Sequence, residues 1–76
     1  MNKNRRKAIE AIKEQIEDVK SSIETIREEE QDSYDSLPEN IQDGDTGQKM
    51  SDAVDNLDSA ISSLEEACDY LTEAQN

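Results

Sequence analysis

Aliphatic residues recur along the first half of the chain at Ile9, Ile12, Ile16, Val19, Ile23 and Ile26, in alternating steps of three and four. Along the second half, Met50, Val54, Leu57, Ile61, Leu64, Cys68 and Leu71 repeat the same steps without a gap. This is the seven-residue period of a coiled coil, and it excludes half-buried strands, whose period is two. The pattern predicts a first helix over about 4–34 and a second over about 48–74, with a tip at 35–47. Each helix would be roughly 40–45 Å long at the α-helical rise. Matched lengths joined by a short break predict an all-α chain, a single antiparallel two-helix coiled-coil hairpin spanning residues 1–76.

Placing Ile9, Ile16 and Ile23 at heptad position a puts Ile12, Val19 and Ile26 at d. In the second helix Val54, Ile61 and Cys68 are a, and Met50, Leu57, Leu64 and Leu71 are d. Folding back near residue 40 then sets Ile26 against Val54, Ile23 against Leu57, Val19 against Ile61, Ile16 against Leu64, Ile12 against Cys68 and Ile9 against Leu71. Arg6, Lys13, Lys20 and Arg27 fall at e, which predicts ion pairs of Lys20 with Asp58 and of Lys13 with Glu65. Ala53, Ala60, Ala67 and Ala74 fall at g and widen the apolar stripe of the second helix. A third apolar position per heptad is what a bundle needs, and an isolated two-helix hairpin is marginal, so a homodimeric four-helix bundle is expected.

The break "SLPENIQDGDTG" holds the only proline and both glycines. Read as a calcium loop from Asp43, it puts Gln48 where glycine is required and Val54 where the bidentate glutamate is required, so the ligand spacing fails. One cysteine and no histidine leave no zinc site either. Turn chemistry accounts for the segment. Pro38 ends the first helix, and "SLPENIQ" reads as one helical turn with Ser36 and Glu39 as a capping box. Leu37 and Ile41 are then expected to fold over the end of the seam beside Tyr34. Asp45 or Thr46 would cap the second helix, Gln48 would complete a second capping box with Asp45, and Gly44 and Gly47 would supply unusual backbone angles. Loops often carry function, so Tyr34, Leu37, Glu39 and Ile41 are the candidate partner-docking residues of the tip.

Charge narrows the partners. The net charge is −12, with 37% charged residues and 32% hydrophobic ones. Lys3, Arg5, Arg6 and Lys7 are half of the eight basic residues, so Ala8 onward carries −16. In the hairpin these four are expected beside Glu66, Asp69 and Glu73, which would neutralise them. Nucleic acid and anionic membrane would be repelled by most of this surface, whereas a basic protein surface would be attracted. Glu17, Asp18, Glu24, Glu28, Asp52, Asp55, Glu66, Asp69 and Glu73 form the candidate acidic face. No segment is apolar enough to span a bilayer and the start lacks an apolar signal core, so a cytoplasmic location is expected. With no histidine, and with Cys68 at a seam position as a small buried thiol, no enzymatic activity and no cofactor are expected.

Two stretches carry a resemblance. Pro38-Glu39-Asn40-Ile41-Gln42 at the tip and Leu64-Glu65-Glu66-Ala67 in the second helix, together with the basic start, resemble small acidic proteins encoded by phages and mobile elements of Gram-positive bacteria. The resemblance implies an accessory role and transfers no catalytic residue. Two functions follow from the sequence. One is a protein–protein interaction module that binds itself and a host protein. The other is a nucleic-acid mimic that inhibits a host nuclease or defence protein, of the anti-restriction or anti-CRISPR type.

Overall fold

A computed structural model describes residues 1–76. The chain is all-helical: α1 runs Lys3–Asp35, α2 Glu39–Gln42 and α3 Asp45–Ala74. It forms an extended helical hairpin measuring 58 × 15 × 11 Å. Asn2 caps α1, its Oδ1 accepting the Arg5 backbone N–H at 2.8 Å. That cap, unforeseen from the pattern, starts the helix one residue ahead of the expected range. At the far end the Ser36 N–H and hydroxyl both donate to the Asp32 carbonyl, at 3.0 and 2.9 Å. Ser36 thus closes α1 rather than capping α2. Pro38 occupies the N-cap of α2 and offers no side-chain bond there.

The entry to α3 also departs from the expected turn. Asp45, Thr46 and Gly47 are already helical, and Gly44 holds the N-cap without a side-chain hydrogen bond. Gln48 donates forward to Asp52 at 2.8 Å, so no capping box forms with Asp45. Neither glycine has positive φ. Gly47 serves a close approach instead: it is buried, and a methyl group added there would overlap the backbone of Gln42. α2 therefore lies directly on the first turn of α3. The Gln42 side-chain amide donates to the Tyr34 carbonyl at 3.0 Å, a second bond to an acceptor that also takes the Leu37 N–H at 3.1 Å where α1 ends.

This docking shifts the register. Lys20 pairs with Glu65 at 3.7 Å and Arg27 with Asp58 at 2.9 Å. Both pairs join e to e, as heptad geometry requires, but each partner lies one heptad away from the Lys20–Asp58 and Lys13–Glu65 pairing. Lys13 pairs instead with Glu10 of its own helix, at 3.7 Å. The chain folds back between Gln42 and Asp43 because α2 continues the path before α3 begins. The layers expected from Ile26–Val54 to Ile9–Leu71 move by the same seven residues.

The roll of α1 differs as well. Ile9, Ile16 and Ile23 are half-buried, but Ile12, Val19 and Ile26 are 45, 51 and 53% exposed. In their place the e side chains turn inward, Lys20 only 18% exposed and Lys13 23%. Their aliphatic stems cover α3 while the ammonium groups reach the carboxylates at the edge. The α1 face against α3 is thus a and e rather than a and d. On α3 the expected a and d residues do face inward, and Val54 at 6% exposure is the single buried apolar side chain.

Candidate functional site

Antiparallel pairing puts e beside e along one side of the hairpin and g beside g along the other. The two broad sides therefore differ in chemistry. On the e side lie the two interhelix ion pairs and the Lys20–Glu17 pair at 3.3 Å. Glu17 also faces the Cys68 thiol, at 3.9 Å, and the Gln75 amide donates to Glu10 at 3.2 Å. The Lys20 ammonium is held above its ordinary range, first by the hydrogen bond to Glu17 against some desolvation, then by the charges of Glu17, Glu65 and Glu24.

All nine residues of the candidate acidic face are exposed. Glu17, Glu24, Asp55 and Asp69 fall at b, and Glu28, Asp52, Glu66 and Glu73 at f, so eight of them belong to the ionic and outer surfaces. Asp18, at c, lies apart from the others. No group of three or more acidic or cysteine side chains is arranged to hold a metal ion. The surface depressions along α1 are open to solvent, and the one lined by Glu10, Lys13, Glu14, Glu17 and Asp18 has no hydrophobic residue in its wall.

The g side is uncharged along the middle of its d and g rows, with Asp18 at the bordering c position and charges toward the two ends of α1, Arg5 at one and Glu29 and Asp32 at the other. α1 contributes Ile12, Val19 and Ile26 at d with Ala8, Gln15 and Ser22 at g, all exposed. α3 contributes Ala53, Ala60 and Ala67 at g, half-buried, with Asn56, Ser63 and Tyr70 at the adjoining c positions. Tyr70 is 75% exposed. Sequence reasoning passed over it, although an aromatic beside the alanine flank was a readable signal.

At the tip, Tyr34 and Leu37 are half-buried against the end of the seam, while Glu39 and Ile41 are exposed. The expected fold-over of Ile41 does not occur, since α2 turns Gln42 toward the hairpin and leaves Ile41 outward. At the opposite end, the shifted register sets Ile9 level with Asn76. Lys3, Arg5, Arg6 and Lys7 therefore overhang α3 instead of lying beside Glu66, Asp69 and Glu73, and none of them joins an intramolecular ion pair.

No known family, curated protein or solved structure matches this chain. No helix is long and apolar enough to cross a membrane.

Proposed function

We propose that this chain is a non-catalytic, acidic helical-hairpin interaction module that works as a homodimer, two hairpins stacking into a four-helix bundle. The observation that carries this reading is the exposed Ile12–Val19–Ile26 stripe. Three aliphatic side chains in line on one helix, in a chain whose buried apolar core is Val54 alone, are a surface in need of a cover. Surface area agrees. A compact protein of 8.6 kDa exposes about 4,700 Å². This chain, 58 × 15 × 11 Å, exposes 5533 Å², roughly 800 Å² more, which is the surface of a hairpin whose broad sides are left uncovered.

Sedimentation equilibrium tests it. The expected result is a mass twice the monomer's that falls on dilution, while a monomer mass at every concentration refutes it.

The dimer leaves the carboxylates outside, where they can meet a basic protein, and the accessory role implied by the phage-type resemblance fits such a use. Mimicry of nucleic acid is the second reading, favoured by the rows of exposed b and f carboxylates. If it holds, the protein competes with duplex DNA for a basic nuclease at low salt and loses that competition at high salt. Salt-tolerant binding to a host protein that is weakened by Ile41→Ser would instead assign the contact to the tip.

A further inference from the structure

We infer that the homodimer is antiparallel through α1, with Val19 on the two-fold axis and Arg5 of each copy against the acidic end of the other α1. This deepens, and rests on, the homodimer reading. The exposed stripe is symmetric about Val19: Ile12 and Ile26 lie seven residues to either side. An isologous interface needs such a self-complementary patch, because each residue must meet its mirror in the sequence. Antiparallel stacking sets Ile12 against Ile26 of the second copy, Val19 against Val19, and Gln15 beside Ser22.

Charge chooses the orientation. The d row of α1 reads Arg5, Ile12, Val19, Ile26, Ser33. Around Ser33 stand Glu29 at g and Asp32 at c, both exposed. The antiparallel arrangement brings Arg5 level with Ser33 of the second copy, hence beside its Glu29 and Asp32, twice per dimer. Parallel stacking would put Arg5 beside Arg5 and carboxylates beside carboxylates at the other end. Arg5 is available for this role because the shifted register leaves it beyond α3 with no intramolecular ion partner.

The second hairpin layer agrees. The Lys20–Glu65 pair sets Glu66 and Ala67 level with Val19. The same axis therefore passes near Ala67, and the alanines of the two α3 helices face each other as Ala60–Ala74 and Ala67–Ala67. Small residues allow that close approach. On α1 the d stripe lies about a quarter turn from the a/e face that meets α3. That angle places the four helices at the corners of a square, α1 beside α1 and α3 beside α3.

Cross-linking in a Cys68→Ser background tests the orientation, with helix content checked by circular dichroism. Val19→Cys alone is expected to form a disulfide dimer in a glutathione redox buffer. Ile12→Cys alone and Ile26→Cys alone are expected not to, because equivalent residues would stand roughly 20 Å apart along the helices, beyond disulfide reach. An equimolar mixture of the Ile12→Cys and Ile26→Cys chains is expected to cross-link. Self-linkage of Ile12→Cys would mean parallel stacking, and a dimer by mass with no linkage at any of the three positions would mean a different face. Either overturns this inference and leaves the homodimer reading standing, whereas a monomer at all concentrations removes both. The charge term has its own readout. Arg5→Glu should raise the dimer dissociation constant about tenfold, since two attractions become two repulsions. Adding Glu29→Arg and Asp32→Arg to the same chain should restore it, and failure to restore would discard the Arg5 contact.

Discussion

α1 and α3 carry the same heptad repeat, yet they use it differently. α3 turns a and d inward and flanks them with half-buried alanines. α1 turns a and e inward, so lysine and arginine stems line the seam and three aliphatic side chains stay outside. The difference lies in the third position of each stripe. Alanine at g is too small to prop the helices apart, so α3 presents a flat face. Lys20 and Arg27 at e of α1 reach across that face to Glu65 and Asp58 at e of α3, and satisfying them rolls α1 until d points away. A heptad repeat thus says which residues form a stripe, while the flanking chemistry decides which edge of the stripe is spent inside the chain.

The contrast is broken most severely where α2 docks on α3. Gly47→Val would push a branched side chain into the Gln42 backbone, in a place with no room. Overpacking of this kind costs about 1–3 kcal/mol, and here it also displaces the turn that sets the register. Urea denaturation should show the loss. Gly44→Ala is the control, because its added methyl would sit 3.5 Å from the Ile41 carbonyl oxygen, an ordinary contact. Equal effects at both glycines would mean that α2 does not press on Gly47.

Val54 and Val19 sharpen the comparison next. Val54→Ala removes the single buried apolar side chain and should cost about 1.5–3 kcal/mol at any protein concentration. Val19→Ala touches an exposed residue of the hairpin. It should leave the hairpin's own stability within about 0.5 kcal/mol while lowering the unfolding midpoint only where the protein is dimeric. Identical, concentration-independent losses at the two valines would show that Val19 is packed within one chain.

How much of this was legible in the sequence follows from the same residues. The helices and the inward face of α3 were, because unbroken three–four spacing excludes strands and α3 spends both positions of its stripe inside the chain. The register was not. Asp58 and Glu65 are both acids at e, and Val54 and Ile61 are both aliphatic at a, so a slip of one heptad conserves nearly every match. What broke the tie was Gly47, whose missing side chain lets α2 lie close, and glycine in a turn reads first as backbone freedom. The roll of α1 was hidden for a different reason: lysine scores as polar in any pattern, although most of its length is hydrocarbon. Among the tip residues, Tyr34 and Leu37 were placed from their position at the seam's end, whereas Ile41 depended on which way a single turn of helix faced. The overhang of Lys3–Lys7 followed the register and was lost with it.

Smaller effects belong to the ionic edge. Arg27→Ala removes the 2.9 Å bond to Asp58 and a half-buried stem, and should cost about 1 kcal/mol or less in thermal or urea unfolding. Asp58→Asn should cost less than Arg27→Ala, because it keeps the stem in place. The reverse order would mean that the Arg27 stem adds no packing of its own beyond the ion pair.

The last test separates charge from packing by pH alone. Lys20 is held above its ordinary value of 10.5, chiefly by the hydrogen bond to Glu17 and further by the charges of Glu17, Glu65 and Glu24. The folded chain therefore holds this proton more tightly than the unfolded one. Its contribution to stability is complete below 10.5 and is lost as pH rises through the raised folded value. Wild-type protein should thus lose stability across that alkaline window by more than Lys20→Met, which keeps a long apolar stem and has no proton to release. The difference between the two unfolding midpoints, followed from neutral pH upward, isolates Lys20 from the other groups that titrate there. A difference that stays flat through the window would mean that Lys20 sits in the seam for its methylenes alone, and the rolled face of α1 would then be a packing choice rather than an electrostatic one.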